Sequence, residues 1–256
     1  MATPVLSVRD VSMRFGGIVA LSGITFDMAP GAILGLIGPN GAGKTTLFNC
    51  LSRLYTPTGG DIQFQGKSIL GMPPHAIAKL GIGRTFQNLA LFGGLSVLDN
   101  VLVGAHARLS ANSLDDAFRT FRAVSSEREA ARIAFEALDR LGLCDHSEDL
   151  VGELPFGTQK RVELARALAT DPSLLLLDEP ACGLNHEEVH ALGRLIRSIR
   201  GDTRISILLV EHNMDLVMSV SDTIVALNFG RKIGEGAPAA IQADPTVISA
   251  YLGGAA

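Results

Sequence analysis

Cysteine is scarce in this chain: Cys50, Cys144 and Cys182 are widely spaced and form no CxxC pair. That gives neither a disulfide framework nor a zinc-binding pattern, and the three read as small apolar residues in a reducing compartment. Charge of one sign is lacking too. With 22 basic residues against 26 acidic ones and a formal net charge of -4, no overall basic field drives sequence-independent binding to nucleic acid, so no nucleic-acid partner is expected. Long hydrophobic runs are also missing. The longest, 174–177 and 205–210, fall far short of the ~20 residues of a bilayer span. No basic segment followed by an apolar stretch opens the chain. The expectation is a cytoplasmic protein that meets a membrane only through a partner.

What is present is a chain of 256 residues, 47% of them hydrophobic, enough for a sizeable core in one large domain or one domain with an inserted lobe. Short apolar, β-branched runs alternate with helical patterns, which predicts an α/β fold with a mostly parallel core sheet. Core strands are expected at Ala32 to Ile37, Ser173 to Leu177, Ile205 to Val210 and Thr223 to Leu227. Ahead of them Leu6, Val8, Val11, Met13 and Phe15 alternate with polar residues, the period of half-buried antiparallel strands.

From about residue 88 to 152 strand signals give way to helical ones. Ser96 precedes Val97, Leu98, Val101, Leu102 and Ala105 at helical spacing, and Ser126 with Glu129 forms a capping-box string that predicts the start of a helix ending near Leu141 and Gly142. An inserted helical subdomain is expected there, with 1–87 and 153–256 forming the α/β catalytic core. Pro238 to Gly253 predicts one or two further helices.

Gly38-Pro39-Asn40-Gly41-Ala42-Gly43-Lys44-Thr45-Thr46 follows a predicted strand and opens a predicted helix, the context a phosphate-binding loop requires. Glycines let the backbone wrap closely enough to aim N–H groups at phosphate oxygens, and the helix adds the positive end of its dipole. Lys44 is placed to reach the β- and γ-phosphates of ATP, and the Thr45 hydroxyl to coordinate Mg2+. Far downstream, Leu174 to Leu177 form a buried strand that leads into Asp178, Glu179 and Pro180. Asp178 at the carboxyl end of such a strand can hold Mg2+ through water, and Glu179 can polarise an attacking water. Alone, two adjacent carboxylates also suit a solvated strand end; beside the phosphate loop the catalytic reading prevails. His212 follows another apolar strand, where an isolated histidine is more often structural, and Gln87 says little by itself.

Taken in order and spacing, these segments resemble the ABC ATPase family across essentially the whole chain. The resemblance implies a P-loop NTPase of that type, with an antiparallel β subdomain and an inserted helical lobe. It implies that Gln87 is the glutamine that contacts Mg2+ and the attacking water, and that His212 is the switch histidine that meets the γ-phosphate. Phe15 takes the place of the aromatic residue that stacks on adenine. Leu154 to Gln159 with the helix behind them match the signature motif, and Ala181 to Asn185 match the loop after the catalytic glutamate. Within the family, Arg14 to Gly17, Arg84 to Gln87, Asn185, Glu211 to Met218 and Tyr251 to Gly253 are most similar to the longer of the two ATPase subunits of branched-chain amino acid importers.

The partners so implied are a second ATPase subunit sharing two ATP sites across a dimer, transmembrane permease subunits at the cytoplasmic membrane face and, indirectly, a solute-binding protein. Residues 87–95, Leu91 and Phe92 among them, are expected on the permease-facing surface, or else in the core of the helical lobe. ATPases of lipopolysaccharide export or of urea and amide transport are the alternative. One departure stands out: Pro155 replaces the usual signature serine and Phe156 the glycine after it. Gly157 and its helix N-terminus still offer donors to a γ-phosphate. Related importer subunits vary here, which implies tolerated variation rather than an ATP site weakened on one side. A DNA-repair ATPase of the same site type needs a long coiled-coil insert, and nothing in this chain sustains the heptads.

Overall fold

The computed structural model describes residues 3–85, 89–108, 121–203 and 205–252. In chain order its elements are β1 (Leu6–Phe15), β2 (Ile18–Met28), β3 (Ile33–Ile37), α1 (Lys44–Leu51), β4 (Gly59–Phe64), β5 (Lys67–Ser68), α2 (Pro74–Ile77), β6 (Ile82–Arg84), α3 (Val97–Arg108), α4 (Phe121–Arg140), α5 (Phe156–Leu168), β7 (Leu174–Asp178), α6 (His186–Thr203), β8 (Ser206–Val210), α7 (Met214–Val220), β9 (Thr223–Asn228), β10 (Arg231–Gly236), α8 (Pro238–Gln242) and α9 (Pro245–Leu252). They form two compact units, one of Met1–Ile77 with Leu174–Ala256 and one of Ala78–Ser173.

The first unit holds two sheets. In one, β2, β1, β4 and β5 lie side by side and antiparallel. Leu6, Val8, Val11 and Met13 point inward, but the alternation slips between Val8 and Val11 because the ladder is irregular there and Asp10 takes a left-handed conformation, φ 50°. In the other sheet the unit's strands run in the order β10-β9-β3-β8-β7. Pairing is parallel across β9-β3-β8-β7, and β10 closes as an antiparallel hairpin arm.

Every residue of β3, β7 and β8 is buried, as continuous apolar runs demand of strands covered on both faces. Each leucine of 174–177 so buried contributes about 1.5–3 kcal/mol. The register sets Leu36 opposite Val210, and Val210 opposite Asp178. The three strands therefore end together, and the chain beyond each of them leaves the sheet along one edge.

The second unit is mainly helical and reaches further than the 88–152 expected from the sequence. It includes β6, and α5 packs against α3 and α4, burying Val97, Val101, Ala105, Ala130, Ala134, Leu138, Val162 and Ala165 in its core. The Ser96 hydroxyl accepts from the Asp99 N–H (3.0 Å) and starts α3 as anticipated. Helix α4 does not start at Ser126. It is already helical from Phe121, because Phe121 to Ser125 contain no glycine or proline to stop it. Fully buried Asn100 accepts from the Phe92 N–H (2.9 Å) and donates to the carbonyls of Phe92 (3.0 Å) and Ser96 (2.9 Å), fastening the segment ahead of α3.

Candidate functional site

The first unit builds its site on the edge where β3, β7 and β8 end. β3 runs into Gly38, whose φ of 152° and surroundings admit no side chain: a Cβ would stand 2.3 Å from the Leu227 carbonyl oxygen. At Gly43 (φ 100°) a Cβ would meet the Ala20 carbonyl at 2.7 Å. The loop between them is tied down by Ala42 N–H to the Pro39 carbonyl (3.1 Å) and Gly230 N–H to the Ala42 carbonyl (3.0 Å). Helix α1 starts directly at Lys44 with Gly43 as its N-cap, no side-chain cap and no acidic residue in its first turn. Buried Lys44 curls over the loop, its Nζ donating to the carbonyls of Gly38 (2.7 Å) and Pro39 (3.1 Å). Burial pushes its ammonium below the ordinary lysine value, and the carboxylates of Glu179 and Asp178 oppose that through space. Thr45 is exposed and Thr46 partly so.

β7 delivers Asp178, 3% exposed, and then Glu179 with φ 47°. A left-handed glutamate is a strained conformation, ~1–3 kcal/mol, of the kind that persists where neighbours impose it. Here the Glu179 N–H still reaches the Val210 carbonyl (2.9 Å), and its carbonyl accepts from Cys182 N–H (3.1 Å). β8 delivers Glu211 and His212. The His212 Nδ1 stands 3.8 Å from the Glu179 carboxylate, with the imidazole mostly exposed.

Glu211 is a residue whose role the sequence did not disclose. It is fully buried. Its carboxylate accepts from three backbone N–H groups: Ala181 (2.7 Å), His212 (3.0 Å) and Asn213 (3.2 Å). It thus fastens the loop after Glu179 to the start of the segment that carries His212. Burial holds its carboxyl above the ordinary glutamate value despite these donors. Tyr251 near the end of α9 is a second such residue. Burial raises its phenol above the usual value, and the nearby Gly38 backbone N–H opposes that. Only its place beside Leu252 and Gly253 marked it in the sequence.

Phe15 pairs with Ile18 at the tip of the β1–β2 hairpin, and Ala20, two residues after Ile18, abuts Gly43. Phe15 is 42% exposed, and its ring meets Tyr55 edge-on at 5.3 Å. So Phe15, the loop Gly38 to Thr46, Asp178, Glu179 and His212 all belong to the first unit. Gly157 lies in the second, in the first turn of α5, behind Pro155 as N-cap with no side-chain cap and no acidic residue in that turn. Exposed Phe156 lies under the Lys160 ammonium, 5.6 Å from its ring centre. Gln87 falls outside the described residues.

Residues 21–182 match the family model described as ABC transporter. The chain belongs to the ABC transporter family. Residues 231–256 of this ABC cassette also match the model for branched-chain amino acid ATP-binding cassette transporters. The cassette is 44% identical over 253 residues to the high-affinity branched-chain amino acid transport ATP-binding protein BraF of Pseudomonas aeruginosa, and 42% identical to LivG of Escherichia coli strain K12, with 99% of each chain covered in both cases. Its fold is similar to two crystal structures of ATP-binding cassettes from ABC transporters. For one free of nucleotide the TM-score is 0.85 at 28% identity, covering 97% of this chain and 99% of that one. For one in its ADP conformation it is 0.86 at 29%, covering 98% and 100%. The ABC cassette is thus a nucleotide-binding α/β ATPase.

Proposed function

We propose that this cassette hydrolyses ATP to drive uptake of branched-chain amino acids through a separate permease. The observation that carries the reading is the register line Leu36, Val210, Asp178, which brings a phosphate cradle, two carboxylates and a histidine to one sheet edge. Backbone N–H groups of Gly38 to Thr46 and the α1 dipole would hold the phosphates. Lys44, already over the loop, would swing from the Gly38 and Pro39 carbonyls to the β- and γ-phosphates. Phe15 would stack on adenine. A bound Mg2+ would offset charge on the transferring phosphoryl group; Thr45 and Asp178 would supply oxygen donors of the kind such an ion takes, and the family resemblance assigns a further one to Gln87.

In the chemical step Glu179 accepts a proton from the water that attacks the γ-phosphorus as the bond to the bridging oxygen of ADP breaks. The 3.8 Å to Glu179 leaves His212 close enough to steady the γ-phosphate beside it. Gly157 and the bare end of α5 would complete the ATP site of a second ATPase subunit, so two subunits close over two ATP molecules and part after hydrolysis. Exposed Phe92 and Leu95 support a permease-facing surface just beyond Gln87. The names of BraF and LivG point to leucine, isoleucine or valine as cargo, delivered by a solute-binding protein. No helix among the described residues is long and apolar enough to cross a membrane, in keeping with peripheral attachment at the cytoplasmic face.

The test is ATP turnover and labelled leucine uptake in proteoliposomes that contain the cassette, a permease and a second ATPase. Uptake that requires ATP is expected, with Glu179→Gln lowering turnover at least a hundredfold while nucleotide still binds. Wild-type turnover by Glu179→Gln would overturn the assignment of the carboxylate. ATP turnover without uptake of leucine, isoleucine or valine would overturn the cargo.

A further inference from the structure

Outside the nucleotide site, a pair of histidine side chains is set at ligating distance. His186, the first residue of α6, and His190, one turn on, are both exposed. Their Nε2 atoms are 3.0 Å apart and their rings nearly perpendicular, at 83°. A metal ion bound by two imidazole nitrogens at ~2.0–2.1 Å holds them about 2.9–3.4 Å apart for angles between square and tetrahedral. The spacing found, that of a hydrogen bond between the rings, is also the spacing a chelate requires.

The backbone beneath is fixed independently of any ion. Asn185 Oδ1 accepts from the Glu188 N–H (3.0 Å) and Glu188 Oε2 from the Asn185 N–H (2.9 Å), a reciprocal cap that pins the first turn. Val189 is buried between the two histidines in sequence and anchors the opposite face. Only side-chain rotamers remain to be set on binding. A cation at a helix N-terminus opposes the dipole, and Glu187 and Glu188 in the same turn offset that.

We propose that His186 and His190 form a chelating site for a divalent transition-metal ion of the zinc, copper or nickel class. Imidazole donors suit those ions, whereas Mg2+ takes oxygen, so the site is orthogonal to the ATP chemistry. Among the described residues no set of three histidine, cysteine, aspartate or glutamate side chains is gathered to hold a metal. The protein thus supplies two ligands and leaves the other positions to water or an external donor, which makes the site open and exchangeable rather than structural.

The experiment uses the full chain without a histidine tag and without nucleotide, titrated calorimetrically with Zn2+ and, in parallel, Mg2+. One Zn2+ per chain is expected, with affinity lost at least tenfold in His186→Ala and again in His190→Ala, unchanged in Cys182→Ser, and no Mg2+ signal of that kind. Cu2+ loaded onto the wild-type chain gives a second measurement that needs no variant: its electron paramagnetic resonance spectrum should carry splitting from two imidazole nitrogens. Absence of stoichiometric Zn2+ binding, wild-type affinity in both histidine variants, or a Cu2+ spectrum with oxygen ligands alone would overturn the site and leave the pair as a hydrogen bond between two rings.

Discussion

Four helix N-termini in this protein fall into two kinds. Those of α6 and α7 are closed. Asn185 and Glu188 cap α6 reciprocally, Asn213 Oδ1 caps α7 through the Leu216 N–H (3.0 Å), and both carry acidic residues in the first turn. Those of α1 and α5 are bare, with Gly43 and Pro155 as N-caps, no side-chain acceptor and no acidic first-turn residue. A helix leaves its first N–H groups without intrahelical partners. Where a side chain takes them the end is merely stabilised. Where none does, the same donors and the same dipole are available to an anion. Among these four, the bare ends are the ones that carry Lys44 and Gly157; the short α8, behind Ala237, is uncapped as well.

The change that should break this contrast most is Lys44→Ala. It removes the cation from the bare α1 end and should lower ATP turnover about a thousandfold, ~4 kcal/mol in barrier, read from steady-state turnover in the assembled complex. Glu211→Ala works on the closed side. It strips the acceptor from three backbone donors, Ala181 in the loop after Glu179 and His212 and Asn213 just ahead of α7, at ~1–3 kcal/mol for each donor left unsatisfied, so a loss of about 3 kcal/mol or more is expected from denaturant unfolding.

Glu211 also predicts a pH dependence. Burial raises its folded value above the unfolded one, so between the two the folded chain keeps a proton that the unfolded chain has released. Its contribution therefore falls as pH rises through that window, and Glu211→Gln should flatten that part of the stability–pH curve.

Phe156→Glu closes the α5 end electrostatically by giving it an acidic first turn. It should cut turnover of the complex about tenfold, with nucleotide affinity of the lone chain unchanged, since like charge would face the incoming phosphate. Pro155→Ser should do least. If backbone donors suffice at α5, turnover stays within about threefold of wild type; a tenfold rise would mean that the missing hydroxyl limits the site.

The regular parts of the fold were legible because their signals are local. The apolar runs ending at Ile37, Leu177, Val210 and Leu227 gave β3, β7, β8 and β9 to within a residue at each end, since continuous burial leaves a strand little freedom in composition. Helix α4 begins five residues ahead of Ser126, because a Ser-x-x-Glu string is as compatible with a helix interior as with a helix start when nothing upstream breaks the helix. The glycine-rich turn between β3 and α1 was legible as a motif. The strained φ of Glu179, the three donors on Glu211 and the reach of Tyr251 to Gly38 were not, since each depends on residues that are distant in sequence.

By itself the sequence marked out which short segments are candidates for chemistry: a glycine-rich turn with Lys44, an acidic pair after four leucines, and a helix preceded by Pro155 where a serine is usual. Those are matters of composition and spacing over a few residues. Only the tertiary structure decided that three parallel strands end on one register line, that Glu211 is sealed beneath His212, and that the ends of α1 and α5 stay uncapped. Such facts come from long-range strand pairing and burial, whose energies are summed over the whole core and so are not written in any one segment.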